Sequence, residues 1–185
     1  MEGSKDPASV THEGAMPVIR LCVSDDLAAV ERIYAHYVVN TTTTFEEDPP
    51  TLADWQRRLG EITEAGLPFL VAEVDGAVVG YGYCTKWRSL RPAYRHTAED
   101  SVYVDVEKVG RGFGTLLLRA LLTGCEAAGI RQVIAVVATG WDAASMALHR
   151  RCGFVEAGRL VGVGYKHGRW LDTVLMQRSL VAAET

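Results

Sequence analysis

The stretch Ser101–Thr115 reads SVYVDVEKVGRGFGT, and the interpretation of the whole chain depends on it. Its first six residues, Ser101–Val106, are rich in β-branched and aromatic side chains, which predicts a strand. Three glycines follow within residues 110–114, and Thr115 then opens an apolar helical run. A strand, a glycine turn and a helix N-terminus can hold an anionic phosphate, because main-chain N–H groups and the helix dipole point at it. An ordinary tight turn uses glycine in the same way, so the rest of the chain has to decide between the two.

The composition fits one folded domain and argues against several partners. The chain has 185 residues, 48% of them hydrophobic, which is enough for one sizeable core. Its net charge of -4 and pI of about 5.7 come without a basic block, so we expect no nucleic acid partner. The apolar runs are too short to cross a membrane, and residues 1–16 lack the pattern of a secretory signal, so we expect no membrane partner either.

The four cysteines are scattered along the chain, with no Cys-x-x-Cys pair among Cys22, Cys84, Cys125 and Cys152. Such spacing is untypical of a disulfide scaffold or a zinc site. We therefore expect no metal, a reducing cytoplasmic location, and a small buried apolar role for each cysteine.

Hydrophobic periodicity predicts one domain over residues 17–181, after a polar segment 1–16 that we interpret as a disordered extension or a cloning remnant. Strand and helix patterns follow in the order β, α, α, β, β, β, α, β, α, β, β. The predicted class is α/β, with a mixed, largely antiparallel central sheet flanked by helices. The central strand is expected to reach Val106, the helix after the glycines to start at Thr115, and residues 164–169 to separate the last two strands.

The order of elements argues against two nucleotide-binding folds. In a dinucleotide-binding fold the glycine turn follows the first strand, whereas here it follows the fourth. A P-loop requires Gly-Lys-Ser/Thr, but Gly112 is followed by Phe-Gly-Thr.

Four motifs, in order along the chain, match one known family. They are AYRHTAEDSVYV at residues 93–104, the Arg-Gly-x-Gly turn, Ser145-x-x-Leu148-His149 with Gly153-Phe154, and GYKHGRWLD at residues 164–172. Over residues 18–180 the chain resembles the GNAT N-acetyltransferases, which use acetyl-CoA. Within them it is most similar to the group that acetylates phosphinothricin, methionine sulfone and methionine sulfoximine.

The resemblance implies a set of residues that bind acetyl-CoA. The family's pyrophosphate motif is Gln/Arg-x-x-Gly-x-Gly/Ala, and its first position falls on Val109, which keeps a main-chain N–H but loses a side-chain contact. The family often has Asn at the start of the next helix, where this chain has Asp142, which cannot donate as an amide does. A main-chain N–H near Val102 or Tyr103 is the expected oxyanion donor. The implied cofactor set is Val102, Tyr103, Val104, Val109, Gly110, Arg111, Gly112, Phe113, Gly114, Thr115, Asp142 and Ser145.

Two side chains match the family's catalytic positions. Glu99 is the expected general base for the amine. Taken without the resemblance, it is a strand-start residue paired with Arg91 or Arg95, and Asp100 is a neighbouring alternative base. His149 stands where many GNAT enzymes carry a tyrosine that acts as general acid, and a histidine there can protonate the thiolate or assist the amine. An arbitrary histidine would more often lie on a helix surface or cap a helix.

The acceptor is expected to be a small amino-acid-like amine. Guanidinium groups bind carboxylates by paired hydrogen bonds, which suits Arg88 and Arg91 for an α-carboxylate. Phe45 and Tyr94 are expected to wall the pocket or to pack in the core, and the resemblance places Tyr165 and Lys166 near the acceptor and a homodimer interface. The implied acceptor set is Phe45, Arg88, Arg91, Tyr94, Glu99, Tyr165 and Lys166.

Two alternatives to this function stay open. The same fold can act on another small amine or on a protein N-terminus, which needs an open groove rather than a closed, arginine-lined pocket. A non-catalytic acyl-CoA-binding sensor is favoured by Val109 and Asp142, whereas Glu99 and His149 argue against it.

Overall fold

Seven strands pair into one sheet within residues 17–139 and 143–181, which are the ranges that this computed structural model describes. The strands are β1 (Val18–Leu21), β2 (Phe69–Val74), β3 (Ala77–Lys86), β4 (Thr97–Val104), β5 (Gln132–Ala138), β6 (Val155–Lys166) and β7 (Arg169–Ser179). The helices are α1 (Leu27–Asn40), α2 (Leu52–Glu64), α3 (Phe113–Ala127) and α4 (Ala143–Arg151). The sheet order β1-β2-β3-β4-β5-β7-β6 confirms the predicted mixed, largely antiparallel α/β class.

The sheet forks between β4 and β5. These strands run parallel, and their pairing joins Thr97–Asp100 to Gln132–Ala135. Beyond Asp100, β4 continues to Val104 beside β3, and β5 continues to Ala138 beside β7. The far ends of the two strands therefore diverge and leave a wedge-shaped gap in the middle of the sheet.

Hydrogen bonding between β3 and β4 determines which main-chain groups face this gap. The Asp105 N–H donates to the Val79 oxygen over 2.9 Å, just past the last paired residues of the two strands. In an antiparallel pair, alternate residues turn both main-chain groups toward the partner strand. The odd-numbered residues of β4 therefore bond to β3, and Val102 and Val104 turn their N–H and C=O groups toward the fork.

The sequence of β3 explains how helices pack on both faces of the sheet. Its residues alternate as Gly80, Tyr81, Gly82 and Tyr83, and successive side chains of a strand point to opposite faces. The glycine positions face the Leu117 and Leu121 side chains of α3, and the tyrosines join an aromatic cluster under α1 and α2. The centre of that cluster is Trp55, which is fully buried and packs edge-on against Tyr34, Tyr81 and Tyr83. The apolar core therefore lies on both sides of β3.

We expect Gly82→Ala to lower the free energy of unfolding by about 1–3 kcal/mol, because the added methyl group overpacks the core. A Cβ at Gly82 would lie 2.8 Å from Leu121 Cδ1 and 3.0 Å from the Ser101 oxygen, and that oxygen belongs to the paired backbone of β4. Urea denaturation measures the change. Gly60→Ala in α2 is the matched control, since a Cβ there would meet no atom within 4 Å. If Gly82→Ala is as stable as this control, the close approach of β3, β4 and α3 is incorrect.

Two predicted boundaries around the glycines were wrong. β4 ends at Val104 rather than Val106, because residues 106–108 form a 3-10 turn in which Asp105 accepts from the Glu107 N–H. The helix after the glycines begins at Phe113 rather than Thr115, so Gly114 lies in its first turn.

The predicted separation of the last two strands was also too long. β6 and β7 pair as far as Lys166 and Arg169, and only His167 and Gly168 connect them. Both connecting residues have positive φ, of 48° and 76°, which is the geometry of a tight two-residue hairpin turn. In the part of the chain described, no helix combines the length and the apolar character needed to cross a membrane.

Candidate active site

A cavity of about 430 Å³ opens at the fork and reaches the loop that follows α1. Three of its wall residues carry carboxylates, and none of the described residues that line it is an arginine or a lysine. The wall is therefore acidic and suits a cationic amine. The lining residues are Tyr34, Thr43, Thr44, Phe45, Glu46, Tyr83, Glu99, Asp100, Ser101, Val102, Tyr103, Ala135, Val136, Val137, Ala138, Ser145 and His149.

Glu99 is a half-buried carboxylate in the cavity wall, two residues into β4. Burial raises the pKa of its carboxyl group above the usual range, and the neighbouring charge of Asp100 raises this pKa further. Among the contacts of described residues, Glu99 forms no ion pair with Arg91 or Arg95. Its position and raised pKa are those expected of a general base rather than of a surface ion pair.

Asp100 and His149 form a buried pair at the base of the fork. The His149 Nε2 atom lies 3.0 Å from Asp100 Oδ2, and the side chains are only 6% and 1% exposed. The other ring nitrogen, Nδ1, lies 2.8 Å from the Ser145 oxygen, one helical turn earlier in α4. The Phe154 ring packs edge-on against the imidazole at 4.9 Å. The predicted catalytic histidine is therefore neither on a helix surface nor a cap, because both ring nitrogens are engaged beside the cavity.

The threonine loop after α1 closes the other end of the cavity. The Tyr34 hydroxyl is 2.7 Å from Thr44 Oγ1, and burial raises the pKa of Tyr34 to about 12, so the tyrosine stays neutral. Lys166 of β6 is buried and donates from Nζ to the Thr44 oxygen over 2.8 Å. Burial lowers the pKa of this lysine. The hydrogen bond from Lys166 in the last hairpin therefore holds the loop in place, and Phe45 of this loop forms part of the cavity wall.

The glycine turn has the geometry of a phosphate cradle. Gly110 and Gly112 have φ values of 79° and 87°, in the left-handed region that favours glycine, and α3 starts immediately after Gly112. The first N–H groups of α3 have no partner within the helix and point back over this turn, together with the positive end of the helix dipole. Val109 precedes the turn with its side chain 57% exposed. The fork and this cradle fit an elongated ligand that ends in an anion, and Asp142 lies outside the described residues.

The structure brings together some of the predicted site residues and leaves others outside. Those that line the cavity are Phe45, Glu99, Val102, Tyr103, Ser145 and His149. Arg88, Arg91 and Tyr94 lie exposed on the loop between β3 and β4, outside the cavity wall. There the Arg88 guanidinium lies 5.9 Å from the centre of the Tyr94 ring. Tyr165 is exposed against Trp170, with 5.1 Å between ring centres.

Sequence reasoning missed three polar features of the cavity. The Asp100–His149 pair joins residues 49 positions apart and has no local signal. Tyr83 lines the cavity because β3 alternates glycine and tyrosine, a pattern that a closer look at the strand faces could have found. Arg58 bonds to Glu46 of the wall over 3.0 Å and lies 4.9 Å from the Trp55 ring centre, which places a guanidinium group in contact with the wall. The described residues contain no cluster of three His, Cys, Asp or Glu side chains that would hold a metal ion.

Comparison with known proteins identifies the class to which this fold and site belong. Residues 19–175 match the model of the acetyltransferase (GNAT) domain. This chain therefore belongs to the GNAT acetyltransferase family, which confirms both the resemblance drawn from the sequence and the enzyme class.

Individual relatives indicate which group of GNAT acetyltransferases this chain is similar to. The chain is 49% identical over 167 residues to the phosphinothricin N-acetyltransferase of Alcaligenes faecalis, covering 90% of this chain and 84% of the relative. It is 40% identical over 156 residues to the L-methionine sulfoximine/L-methionine sulfone acetyltransferase of Pseudomonas paraeruginosa, covering 84% and 90%. The crystal structure of a phosphinothricin acetyltransferase from Sinorhizobium meliloti, in complex with AcCoA, superimposes with a TM-score of 0.83 at 44% identity, covering 88% of each chain.

Proposed function

We propose that this protein transfers an acetyl group from acetyl-CoA to the amine of a small amino-acid-like acceptor by direct attack in a ternary complex. The acceptors we propose are phosphinothricin, methionine sulfone and methionine sulfoximine. The observation that carries the proposal is Glu99, a half-buried carboxylate of raised pKa in the wall of a cavity at the fork of the sheet. The names of the relatives described above support the choice of acceptors.

The chain's own residues can perform each proton and charge transfer of this reaction. The acceptor ammonium loses one proton to solvent, which frees the lone pair needed for attack, and Glu99 takes a second proton from the nitrogen after the amine attacks. The Val102 N–H faces the fork and stabilises the thioester oxygen as it gains negative charge. His149 stands beside Ser145 in the same cavity wall and gives a proton to the leaving thiolate. Acetyl-CoA supplies the activated acetyl group, and the residues named here orient and polarise it.

The glycine turn is the proposed binding site for the pyrophosphate of acetyl-CoA. Gly110, Gly112 and the start of α3 offer main-chain N–H groups and the positive end of the helix dipole. Arg111 is exposed between the two glycines and adds a positive charge. The side of β4 that faces away from β3 lies between this cradle and Glu99, so the pantetheine arm would follow Val104 and Val102 toward the base.

The acceptor is proposed to bind at the threonine-loop end of the cavity. Phe45 forms part of the wall there, and the acidic lining attracts the ammonium group. Arg88 and Arg91 remain the residues that the resemblance implies for the α-carboxylate, with Tyr94 beside them. Lys166 acts indirectly in this proposal, because its bond to the Thr44 oxygen holds the loop.

A second copy of the chain is the proposed partner of the last hairpin. Val161, Val163 and Tyr165 are 78%, 55% and 55% exposed on β6, which is the edge strand of the sheet. Trp170 of β7 is 70% exposed beside Tyr165. Exposed apolar side chains on an edge strand are typical of an interface. Sedimentation should find twice the 20.2 kDa chain mass.

The four free buried cysteines support a reducing, cytoplasmic location for the dimer.

The test of this function is an amine panel assayed with acetyl-CoA and read by release of the free thiol. Methionine sulfone, methionine sulfoximine and phosphinothricin should react, and peptides with free N-termini should not. Transfer to peptides would favour a protein N-terminus as substrate. Binding of acetyl-CoA without transfer to any amine would favour the non-catalytic sensor and refute the proposal.

Replacing Gly164 should weaken acceptor binding, because a side chain there displaces Phe45. A Cβ at Gly164 would overlap the Phe45 ring, so the ring has to swing into or out of the cavity. We expect Gly164→Ala to raise the KM for methionine sulfone by about tenfold, with little change in the KM for acetyl-CoA. Steady-state kinetics with each substrate varied in turn measures both values.

Gly158→Ala in the same strand is the matched control for this prediction, since a Cβ there would have no atom within 4 Å. It should leave both KM values unchanged. An unaltered acceptor KM in Gly164→Ala would show that Phe45 does not border the bound acceptor.

A further inference from the structure

The hydrogen-bond partners of His149 determine how many hydrogens its ring carries. The Ser145 oxygen is a carbonyl and can only accept, so Nδ1, at 2.8 Å, must carry a hydrogen. An ionised Asp100 can likewise only accept, so the 3.0 Å contact between Nε2 and Oδ2 requires a second ring hydrogen. The geometry is therefore satisfied by a doubly protonated imidazolium bonded to an ionised carboxylate.

The Asp100–His149 pair is buried, which makes the charge of each group important for the stability of the pair. Asp100 is 1% exposed at its side chain, and its other oxygen, Oδ1, is buried without a hydrogen-bond partner among the described residues. An isolated buried carboxylate is costly, so its charge needs a cation beside it. His149 is the basic side chain beside it and can supply this charge when its ring is protonated on both nitrogens, and both residues line the cavity at the point where β4 and β5 separate.

We propose that Asp100 is a positioning residue, which keeps His149 protonated on both nitrogens and so available as the acid that protonates the leaving thiolate. The proposal rests on the function proposed above. Asp100 does not touch the substrate in this scheme. It acts by fixing the orientation and the protonation of His149, which a histidine without such a partner would hold only in part near neutral pH.

The proton balance of the step is complete with the groups named. The ammonium of the acceptor first loses one proton to solvent, and after the amine attacks, its nitrogen gives a second proton to Glu99. The C–S bond breaks, its electron pair stays on sulfur, and the sulfur takes the Nε2 proton of His149. Asp100 keeps its negative charge, and the proton held by Glu99 restores the imidazolium. One proton is released for each acetyl group transferred.

Other titratable groups lie near the pair, and the thiols among them are neutral. Burial raises the pKa of the Cys152 thiol, and the hydrogen bond of the Cys84 thiol to Cys125 raises the pKa of Cys84, which lies opposite Asp100, so these thiols are neutral near pH 7. The carboxylate of Glu99 is adjacent in β4, and two guanidinium groups lie beyond Cys152. Among the described residues, Glu99, Cys84 and Cys152 interact electrostatically with Asp100, while Cys125 interacts with Cys84, and Arg119 and Arg178 interact with Cys152.

Nitrogen NMR of protein labelled at its histidines tests this pairing without any turnover. At pH 7.5 we expect both ring nitrogens of His149 to carry hydrogens, with the signals assigned by their loss in His149→Gln. In Asp100→Asn the amide can donate to Nε2, so this nitrogen should lose its hydrogen while the ring stays in place. We expect kcat of this variant to fall by about tenfold to hundredfold, with the KM for acetyl-CoA unchanged.

Asp26→Asn is the matched control, because Asp26 is also buried and ion-paired, to Arg20 over 2.7 Å, at a place away from the cavity. It should lower stability and leave both kcat and the His149 signals as in the wild type. An Nε2 without a hydrogen in the wild-type protein overturns the proposal even if Asp100→Asn fails to fold. An unchanged kcat in a folded Asp100→Asn overturns it as well. Failure of the wild type to acetylate any amine instead refutes the proposed function and leaves the NMR result to decide the pairing.

Discussion

Glu99→Gln is expected to lower kcat for acetylation of methionine sulfone by about 10²- to 10⁴-fold, the usual range for loss of a general base. Glutamine has nearly the same shape and occupies the same half-buried place in β4, but it cannot take a proton. The KM for acetyl-CoA should stay within about twofold, because the loss falls on the chemical step rather than on binding. Thiol-release kinetics measures both parameters. A kcat close to the wild-type value would remove Glu99 from the mechanism.

The same substitution should make the protein more stable at neutral pH. The pKa of Glu99 is raised in the folded state by burial and by Asp100, so the folded protein holds this proton more tightly than the unfolded chain does. Stability therefore falls as the pH rises through the window between the ordinary glutamate pKa and the raised one. Glutamine lacks this ionisation, and the Tm of Glu99→Gln at pH 7.5 should exceed that of the wild type. A lower Tm would mean that the ionised carboxylate is stabilised in the fold.

Activity should rise with pH over the same window in which stability falls. A general base works only when ionised, so kcat should fall as the pH drops through the raised pKa of Glu99. Since this pKa lies above the usual glutamate range, the acid limb of the profile should lie higher than for an exposed glutamate. Glu99→Gln should lose this limb together with its activity.

Gly112→Asp is expected to raise the KM for acetyl-CoA by about tenfold to hundredfold relative to Gly112→Asn, because a carboxylate beside the pyrophosphate repels it. Gly112 has a φ of 87° and no atom within 4 Å of a Cβ built on it, so both side chains have room. Asn and Asp tolerate the left-handed region better than other non-glycine residues, and both cap helices well. The two variants should fold alike and differ only in one charge.

Salt provides a second check on the same pair of variants. The turn is exposed to solvent, so raising the ionic strength should shrink the difference between Gly112→Asp and Gly112→Asn. Circular dichroism should find the same helix content in both. If acetyl-CoA has the same KM in the two variants, its pyrophosphate does not lie at this turn.

Local sequence patterns were sufficient to predict the order of elements, because glycine turns, β-branched runs and helical spacing are all short-range signals. The boundary at Phe113 was missed for a local reason as well. Glycine lowers the expectation of helix, yet Gly114 can sit in the first turn of α3, where the main-chain N–H groups have no intrahelical partner in any case.

The site itself depends on contacts that short-range patterns cannot contain. Glu99 and His149 were predicted from the resemblance, but the bond between His149 and Asp100 depends on how α4 meets the base of the fork. The burial of Lys166 likewise depends on a hydrogen bond to Thr44, 122 residues earlier. Arg88 and Arg91 carry the right chemistry for a carboxylate, but the loop between β3 and β4 holds them outside the described cavity wall.

The fork also affects how rigidly the two parts of the sheet are held together. The half-sheet of β1 to β4 and the half-sheet of β5 to β7 are joined along only four residue pairs, from Thr97 with Gln132 to Asp100 with Ala135. An elongated substrate whose amides bond to Val102 and Val104 would temporarily bridge the two half-sheets. The protein would then be stiffest while it holds its acetyl donor and would loosen when the product departs. In such a design the sheet is completed in every catalytic cycle by the molecule on which it acts.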